Sequence, residues 1–295
     1  MLTGPEIYRN GGFCMRKESR TGVFLALPGL LGLLALYIIP FFVSLTYTFT
    51  QGVTECRFVG MANFRDLLGN PVFRQAVRNT ISFLLLGVPI LLLLSVLLSV
   101  ILAKGCFGWQ RWTLLLPFVL PAPSLAVAWR SIWGASGGLD RLLEMLGLPE
   151  ANHLEKSAYP LLLVLYLLRN VGYICIILTS SIRALPVEYR ENYCLDSSSE
   201  TGYVCRILLP LISPTLLFAG VVAVVNYFLL FRDVYMIYGD VPPRTVYMLQ
   251  HFMNNNFYKL NYQRLSAAAF LLALCLSGLV AAVLLARGRL KWDVD

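Results

Sequence analysis

Residues 185–210 read LPVEYRENYCLDSSSETGYVCRILLP, a polar and charged stretch between two long hydrophobic segments. Pro186 suits the first position of a helix, because the N–H that proline lacks would have no partner there. Ser197 with Glu200 three residues later fits a capping box, which predicts that a second short helix starts near Ser197. Two helices this short have little to bury their faces against except a partner protein. The stretch is therefore a candidate docking element.

The composition is that of an integral membrane protein. Of the 295 residues, 58% are hydrophobic and 14% are charged, and the mean hydropathy is +0.69. A soluble domain carries about 25% charged residues. The net charge of +8 is explained by basic residues that flank membrane spans and face anionic head groups, so membrane lipid is an expected partner. No basic cluster or known module in the sequence indicates a nucleic-acid partner.

Six segments are long and apolar enough to cross a membrane, since a spanning helix needs about 20 such residues. They are residues 23–45, 81–103, 112–133, 159–182, 209–231 and 265–286. None of these six segments contains Asp or Glu. Several contain proline, which spans tolerate when neighbouring helices satisfy the freed carbonyls. We therefore predict an all-α integral membrane protein with six packed and bent transmembrane helices.

Basic residues close to the spans at both ends of the chain favour a cytoplasmic N-terminus and a cytoplasmic C-terminus. These residues are Arg9, Arg16, Lys17, Arg20, Arg287, Arg289 and Lys291. Residues 1–22 are then a cytoplasmic segment, residues 23–290 the six-span domain, and residues 291–295 a cytoplasmic tail. Met15 is an alternative start to Met1. Four crossings return the docking element to the cytoplasm.

The docking element resembles the EAA loop of binding-protein-dependent ABC importers, which inserts into a groove on a cytoplasmic ATPase. The matching positions are Glu191, Leu195-Asp196 and Ile207-x-Leu209-Pro210. Two alanines follow the glutamate in that family, and this chain has Asn192 and Tyr193 there. The glycine that follows the aspartate in the family is Ser197 here.

Three further stretches resemble permeases of the carbohydrate type, the maltose and glycerol-phosphate group, in their order and spacing. They are residues 58–64 with 76–81, residues 115–117 with 128–130, and residues 231–235. The resemblance covers most of the chain. It implies the type I ABC importer permease fold and a place in the bacterial cell membrane as a multi-pass protein.

The resemblance also implies a division of labour among subunits. A permease of this kind pairs with a second homologous permease, two ATPase subunits act from the cytoplasm, and an extracytoplasmic solute-binding protein delivers the solute. Because the chain has no G-x-x-x-x-G-K-[ST] sequence, we expect no cofactor of its own and no enzyme activity, with ATP bound by the partner subunit. The residues expected to couple the chain to that ATPase are Glu191, Leu195, Asp196, Ser197 and Ser198.

Polar and aromatic side chains within the spans are candidates for a solute pathway. Arg169, Asn170 and Tyr173 lie near the middle of the fourth span, where a charge is costly unless it faces a cavity or a partner. They either hydrogen-bond a solute or tie the helix to carbonyls or to the second permease. Asn226 and Tyr227 in the fifth span offer the planar amide and aromatic face that suit a sugar, or else an interhelical hydrogen bond.

Charged residues next to the fifth span have a different expected role. Arg232 and Asp233 follow one another at the end of that span. We expect them to form a local ion pair or a gate element rather than to contact the solute. Arg169 then has no obvious acidic partner within the chain.

The sequence favours a permease subunit that imports a sugar or sugar-like solute, and the main alternative is a secondary active transporter of a small polar solute. Proton-coupled carriers usually need carboxylates or histidines inside the membrane, and none of the six predicted spans has one. A membrane-embedded enzyme would need a nucleophile, an acid–base pair or a metal cluster. Seven scattered cysteines without a C-x-x-C, and two distant histidines, supply none of these. Glycerol phosphates and other polyols stay open as solutes.

Overall fold

The computed structural model describes residues 15–52, 57–105, 109–135, 137–146 and 153–289. The predicted tail 291–295 lies outside the described residues. So does the predicted N-terminal segment up to residue 14, whereas the rest of that segment begins the first helix.

The first span is one long helical element with an internal π-turn. It consists of α1 (Met15–Leu33), the π-turn (Leu34–Ile38) and α2 (Ile39–Phe49). None of the apolar stretch of this span is buried within the chain. An apolar helix of this kind is stable only where lipid or another subunit covers it. Two short strands, β1 (Thr50–Gln51) and β2 (Arg57–Phe58), pair antiparallel after it.

The second span begins at a well-formed cap. After the short helix α3 (Ala62–Gly69), the side-chain oxygen of Asn70 accepts hydrogen bonds from Val72 N at 2.9 Å and Phe73 N at 3.3 Å. These bonds satisfy the first free N–H groups of α4 (Pro71–Lys104). Its 34 residues correspond to about 51 Å, which exceeds the hydrocarbon core of about 30 Å. Both ends of α4 therefore project beyond the apolar layer.

The predicted third span is a broken pair of helices rather than one rod, a sharp form of the bending that its prolines predict. Helix α5 (Gln110–Val119) is followed by helix α6 (Ala122–Trp133). The segment Trp112–Val119 and the segment Ala122–Met145, which begins with α6, are bent by 98° relative to each other. Leu120 between them is extended, with φ −60° and ψ 132°. Pro121 follows it, and proline disfavours the helical conformation of the residue before it. The helices α7 (Gly138–Met145) and α8 (His153–Lys156) come next.

Helix α9 (Ala158–Arg183) is the central element of the fold. Half of its apolar stretch is buried inside the chain, more than in any other described span. It packs against α4, α5 and the fifth span. At Gly172 the backbone of α5 comes so close that an added Cβ atom would lie 1.8 Å from the carbonyl oxygen of Leu114. Glycine is therefore required for this crossing.

The second half of the chain contains the docking element and the last two spans. The docking element has α10 (Glu188–Asp196), α11 (Glu200–Tyr203), a π-turn (Val204–Leu208) and α12 (Leu209–Leu211). The fifth span is formed by α13 (Ser213–Leu229) and α14 (Phe231–Tyr238). A 3₁₀ turn (Arg244–Val246), α15 (Leu249–Tyr258) and α16 (Tyr262–Arg289) follow, and α16 carries the sixth span.

An aromatic cluster joins three of these spans in the core. The ring of Phe83 on α4 lies 5.5 Å from that of Tyr166 on α9 and 5.1 Å from that of Tyr227 on α13. Each tyrosine hydroxyl donates within the protein, that of Tyr166 to the carbonyl of Ala223 and that of Tyr227 to the sulfur of Met248, both at 2.8 Å. Both polar ends are satisfied, as buried tyrosines require.

We expect Gly172→Ala to destabilise the protein although alanine is the better helix former. The helix preference favours alanine by about 1 kcal/mol, whereas overpacking against a fixed neighbour costs about 1–3 kcal/mol or more. The contact is with backbone, so no side-chain rotation relieves it. The measurement is the thermal unfolding midpoint of the detergent-solubilised protein by size-exclusion profile.

The matched control is Gly278→Ala on α16, where an added Cβ would meet nothing within 4 Å. That variant is expected to be as stable as the parent protein or slightly more so. An equal or higher midpoint for Gly172→Ala would show that α5 does not cross α9 as closely as described.

Candidate coupling surface and solute pathway

The first helix of the docking element, α10, is exposed over nearly its whole surface. Glu188, Glu191, Asn192 and Leu195 share one face, because residues three, four and seven apart align on a helix. All four are exposed, and the side chain of Leu195 is 85% accessible. In the described part of the chain no hydrogen bond or ion pair engages the carboxylate of Glu191. We name these four residues the outer face of α10.

The opposite side of α10 packs against the rest of the docking element. The ring of Tyr193 lies 5.8 Å from that of Tyr203. A Cβ atom added to Gly202 would lie 2.2 Å from the Tyr193 hydroxyl oxygen. Tyr193, which stands where the resembled family has its second alanine, therefore points inward onto Gly202 and away from the outer face.

The second helix starts two residues later than predicted. Ser199, and not Ser197, is the N-cap of α11, since its hydroxyl oxygen accepts a hydrogen bond from Gly202 N at 3.1 Å. The Ser197 hydroxyl accepts from Ser199 N at 3.2 Å and so shapes the turn before the cap. The predicted capping box is also wrong in its second half, because the Glu200 carboxylate pairs with basic side chains instead. Ser198 is exposed in the same turn.

Ion pairs attach the docking element to the end of the second span. The Glu200 carboxylate accepts hydrogen bonds from Lys104, the last residue of α4, and from Arg190 on α10 at 2.9 Å. The hydrogen bond from Lys104 is the main cause that lowers the pKa of the Glu200 carboxyl below its ordinary value. Arg183, the last residue of α9, donates to the carbonyls of Leu102 and Gly105 at 2.9 and 2.5 Å. The ends of the second and fourth spans are thereby held together beside α10.

A small cavity lies deeper in the protein, around the middle of the fourth span. Its volume is about 120 Å³. Its lining comprises Phe118, Arg169, Asn170, Asn226, Leu229, Leu230, Arg232 and Asp233. Three of the five predicted pathway residues thus share one cavity, namely Arg169, Asn170 and Asn226.

The charge in this cavity is held by a long-range ion pair. Nη1 of Arg169 donates to Oδ1 of Asp233 at 2.5 Å, and Nη2 of Arg169 donates to the carbonyl of Leu120 at 3.3 Å. Both side chains are mostly buried. The expectation that Arg169 lacks an acidic partner is therefore wrong. Asp233 forms its ion pair with Arg169 and not with its neighbour Arg232, whereas the alternative of a gate element stays a prediction. Adjacent residues on a helix point about 100° apart, so Asp233 reaches α9 instead.

The remaining polar groups differ in how well they are satisfied. The side-chain amide of Asn170 donates to the carbonyl of Tyr166 at 2.8 Å, which is a bond within α9. The Nδ2 of Asn226 is buried and has no hydrogen-bond partner among the described residues. Leaving a buried amide without a partner costs about 1–3 kcal/mol. Binding of an acceptor, such as a solute hydroxyl or a water molecule, at Asn226 is therefore favourable.

The two aromatic candidates lie in different places. Tyr173 stacks on Phe118 of α5, with ring centroids 4.6 Å apart and ring planes 5° from parallel. Phe118 in turn lines the cavity, so this stacked pair forms an aromatic wall. Tyr227 belongs to the aromatic core described above and does not line the cavity. Phe118 was not anticipated, since nothing in its local sequence distinguishes it from other apolar residues of the third span.

The described residues contain no group of three or more His, Cys, Asp or Glu side chains that could hold a metal ion. Chemically, the cavity offers guanidinium and amide donors beside an aromatic wall. These groups suit hydrogen bonding to neutral or acidic hydroxyl compounds.

We expect Asp233→Asn to lower the free energy of unfolding by about 3–5 kcal/mol, because it leaves the buried Arg169 charge without its partner. The double variant Arg169→Gln/Asp233→Asn is expected to recover most of this loss, since two neutral amides can hydrogen-bond each other. Thermal unfolding midpoints in detergent would measure both effects. An exposed carboxylate changed in the same way, Glu144→Gln, serves as the control. Parent-like stability of Asp233→Asn would contradict the buried pair.

Comparisons with known proteins agree on the kind of chain this is. Residues 59–291 match the family described as binding-protein-dependent transport system inner membrane component. The chain is 26% identical over 283 residues to the probable ABC transporter permease protein YesP of Bacillus subtilis, covering 92% of this chain and 91% of that protein. It is 21% identical to the probable starch degradation products transport system permease protein AmyD of Thermoanaerobacterium thermosulfurigenes, covering 75% and 78% of the two chains.

The fold is similar to that of a solved structure. This is a bacterial alginate ABC transporter in complex with an alginate pentasaccharide-bound periplasmic protein. The TM-score is 0.76 at 18% sequence identity, and the match covers 90% of this chain and 93% of the other. The architecture is therefore the type I permease fold.

Proposed function

The chain belongs to the family of binding-protein-dependent transport system inner membrane components, and we propose that it is the membrane-spanning permease subunit of an ABC importer for a sugar or sugar-like solute. The names of its relatives support this solute class, since one is a permease for starch degradation products and another chain of the same fold belongs to an alginate transporter. Membership of this family speaks against the alternative of a secondary active transporter. A permease subunit is not itself an enzyme.

The main support for the proposed coupling mechanism is the exposure of the outer face of α10. A helix that presents Glu191 and a largely exposed Leu195 to its surroundings, between two membrane spans, is built to dock. In the proposed complex this face inserts into the cytoplasmic ATPase, with Leu195 as the apolar anchor and Glu191 as a charge that sets register. Asp196, Ser197 and Ser198 form the end of the helix and the turn that carries it.

Movement of the docked helix reaches the spans through its inner side. The Arg190–Glu200–Lys104 bridge connects α10 to α4, and Arg183 connects the ends of α4 and α9. A rigid-body rotation of the docking element would therefore displace two spans at once. Exposed ion pairs of this kind contribute little to stability, so their proposed role is to direct motion.

The solute pathway requires the described cavity to open. Ligand pockets generally have about 300–1,000 Å³, whereas this cavity has about 120 Å³. We therefore propose that this cavity widens during transport. Widening it moves α14 away from α9 and separates Asp233 from Arg169, which frees donors for solute hydroxyls. Asn226 and the Phe118–Tyr173 wall supply the other contacts.

The proposed assembly also includes a second homologous permease, two ATPase subunits and an extracytoplasmic solute-binding protein. The family description names binding-protein dependence, and the uncovered apolar surface of the first span fits a neighbouring subunit or lipid. In the proposed topology both chain ends and the docking element face the cytoplasm.

We expect Glu191→Lys to reduce uptake at least tenfold while the protein inserts at normal levels, because the change reverses a charge on the outer face without touching a packed residue. Uptake of radiolabelled solute in cells, normalised to membrane-bound protein, is the measurement. The control is Glu144→Lys, which reverses an exposed carboxylate on α7. Equal uptake in both variants would remove the docking role of Glu191.

We expect a cysteine at Ser198 to be protected from an impermeant thiol reagent in intact cells and labelled after permeabilisation. The exposed native Cys194 and Cys205 lie in the same element, so the experiment needs a background in which all seven cysteines are replaced by serine. A second cysteine at Asp240, between the fifth and sixth spans, should show the opposite pattern. Labelling of Ser198→Cys in intact cells would reverse the topology.

A further inference from the structure

A second and larger cavity lies where the docking element meets the ends of α4 and α9. Its volume is about 280 Å³. Apolar side chains form its walls, among them Val100 on α4 and Ile182 on α9, which are both partly buried. The proposed function places this end of the spans in the cytoplasm, and the inference rests on that placement.

Charged groups line this cavity in an unbalanced ratio. Lys104, Arg183 and Arg190 bring three positive charges, and Glu200 is the single carboxylate among the described lining residues. The net charge around the cavity is therefore +2. A guanidinium has five N–H donors, and Arg183 spends two bonds on backbone carbonyls. Donors are thus left to receive an anion.

The depth of the charges matches the surface of the membrane. Lys104 and Arg183 are the last residues of two spans, and in the proposed topology such span ends lie near the cytoplasmic lipid head groups. The cytoplasmic leaflet carries negative lipids, and basic pockets between spans on that side recruit their head groups. A cavity that is apolar along the spans and basic at their ends matches the acyl chains and the anionic head group of such a lipid.

We propose that this cavity binds an anionic phospholipid of the cytoplasmic leaflet, with its phosphate among Lys104, Arg183 and Arg190 and the start of its acyl chains along Val100 and Ile182. A free phosphate ion would satisfy the same cations and leave these walls exposed to water, so the apolar walls favour the lipid. The bound phosphate competes with the Glu200 carboxylate for Lys104 and Arg190.

This competition gives the site a regulatory consequence. Glu200 joins α10 to α4 through those two cations. A lipid phosphate that binds Lys104 and Arg190 weakens their ion pairs with Glu200. The docking element and α4 are then connected through the bound lipid instead. Coupling between the docking element and the spans then depends on the charge of the surrounding lipid.

The test is lipid binding to the full chain, purified with whatever subunits accompany it, in nanodiscs of phosphatidylcholine with or without phosphatidylglycerol. Native mass spectrometry counts the phosphatidylglycerol molecules that stay bound after delipidation, and titration gives the apparent affinity. The double variant Lys104→Gln/Arg190→Gln is expected to weaken binding about tenfold or more. Glu200→Gln removes the competing carboxylate and is expected to strengthen binding several-fold.

Both variants break the ion-pair bridge, so loss of the bridge alone would change lipid binding in the same direction in both. Weaker binding in one variant and stronger binding in the other therefore indicates a lipid site. The control Arg74→Gln/Arg78→Gln removes two exposed charges at the other end of α4 and should leave this binding unchanged. Weaker binding by Glu200→Gln, or an equal loss in the control, would overturn the proposal. So would stabilisation of the protein by inorganic phosphate in pure phosphatidylcholine that matches the effect of phosphatidylglycerol.

Failure of this proposal is distinguishable from failure of the proposed function. Lipid retention is measured on the purified protein and requires neither uptake nor ATP hydrolysis. The thiol-labelling experiment at Ser198 decides separately whether the docking element faces the cytoplasm.

Discussion

A guanidinium at membrane depth is costly unless it has a counter-charge and hydrogen-bond acceptors, and Arg169 finds both at a junction of three elements. Its partners are the carboxylate of Asp233 on α14 and the carbonyl of Leu120. Leu120 is the break of the third span, where a helical hydrogen bond is lost and a carbonyl becomes free. The Arg169 side chain on α9 therefore donates a hydrogen bond to the free carbonyl at the helix break and supplies the counter-charge for the buried Asp233 carboxylate.

The interior around this junction is rigid on one side and adaptable on the other. On the α4 side, Phe83, Tyr166 and Tyr227 fill the core, and both hydroxyl groups are bonded. On the α14 side lie an unpaired amide, a small cavity and a charged pair. Well-packed apolar cores do not deform gradually, whereas an ion pair has two discrete states, joined and separated. Opening of the proposed pathway is therefore expected at α14, with α4 and α9 moving as one body.

Sequence reasoning could predict the features that depend on local composition. The spans follow from apolar runs of sufficient length, and their observed positions overlap the predicted ones, including the third span, which is broken at Leu120. In that span three prolines, Pro117, Pro121 and Pro123, all permit a break. The break falls at Leu120, directly before Pro121, whereas Pro117 lies inside α5. The sequence alone does not distinguish these prolines.

Features that depend on distant neighbours could not be predicted in this way. Arg169 and Asp233 are 64 residues apart, and no local pattern joins them. In the run Ser197–Ser199, each serine is an equally good cap by type, and the observed cap is Ser199, directly before the Glu200 that pairs with Lys104. Likewise, Asn226 and Tyr227 are adjacent in sequence but point to different sides of α13, one to the cavity and one to the core.

The departures of the docking element from the family pattern have a geometric explanation. Tyr193 is bulky where the resembled loop has alanine, yet its ring lies on the inner side, and Gly202 provides the space for it. The substitution therefore tightens the contact between α10 and α11 and leaves the outer face free. Asn192 is different, since it lies on that outer face beside Glu191. If the ATPase that accepts this chain differs from those of other permeases, its groove should differ where it meets Asn192, and the tyrosine should not contribute to partner choice.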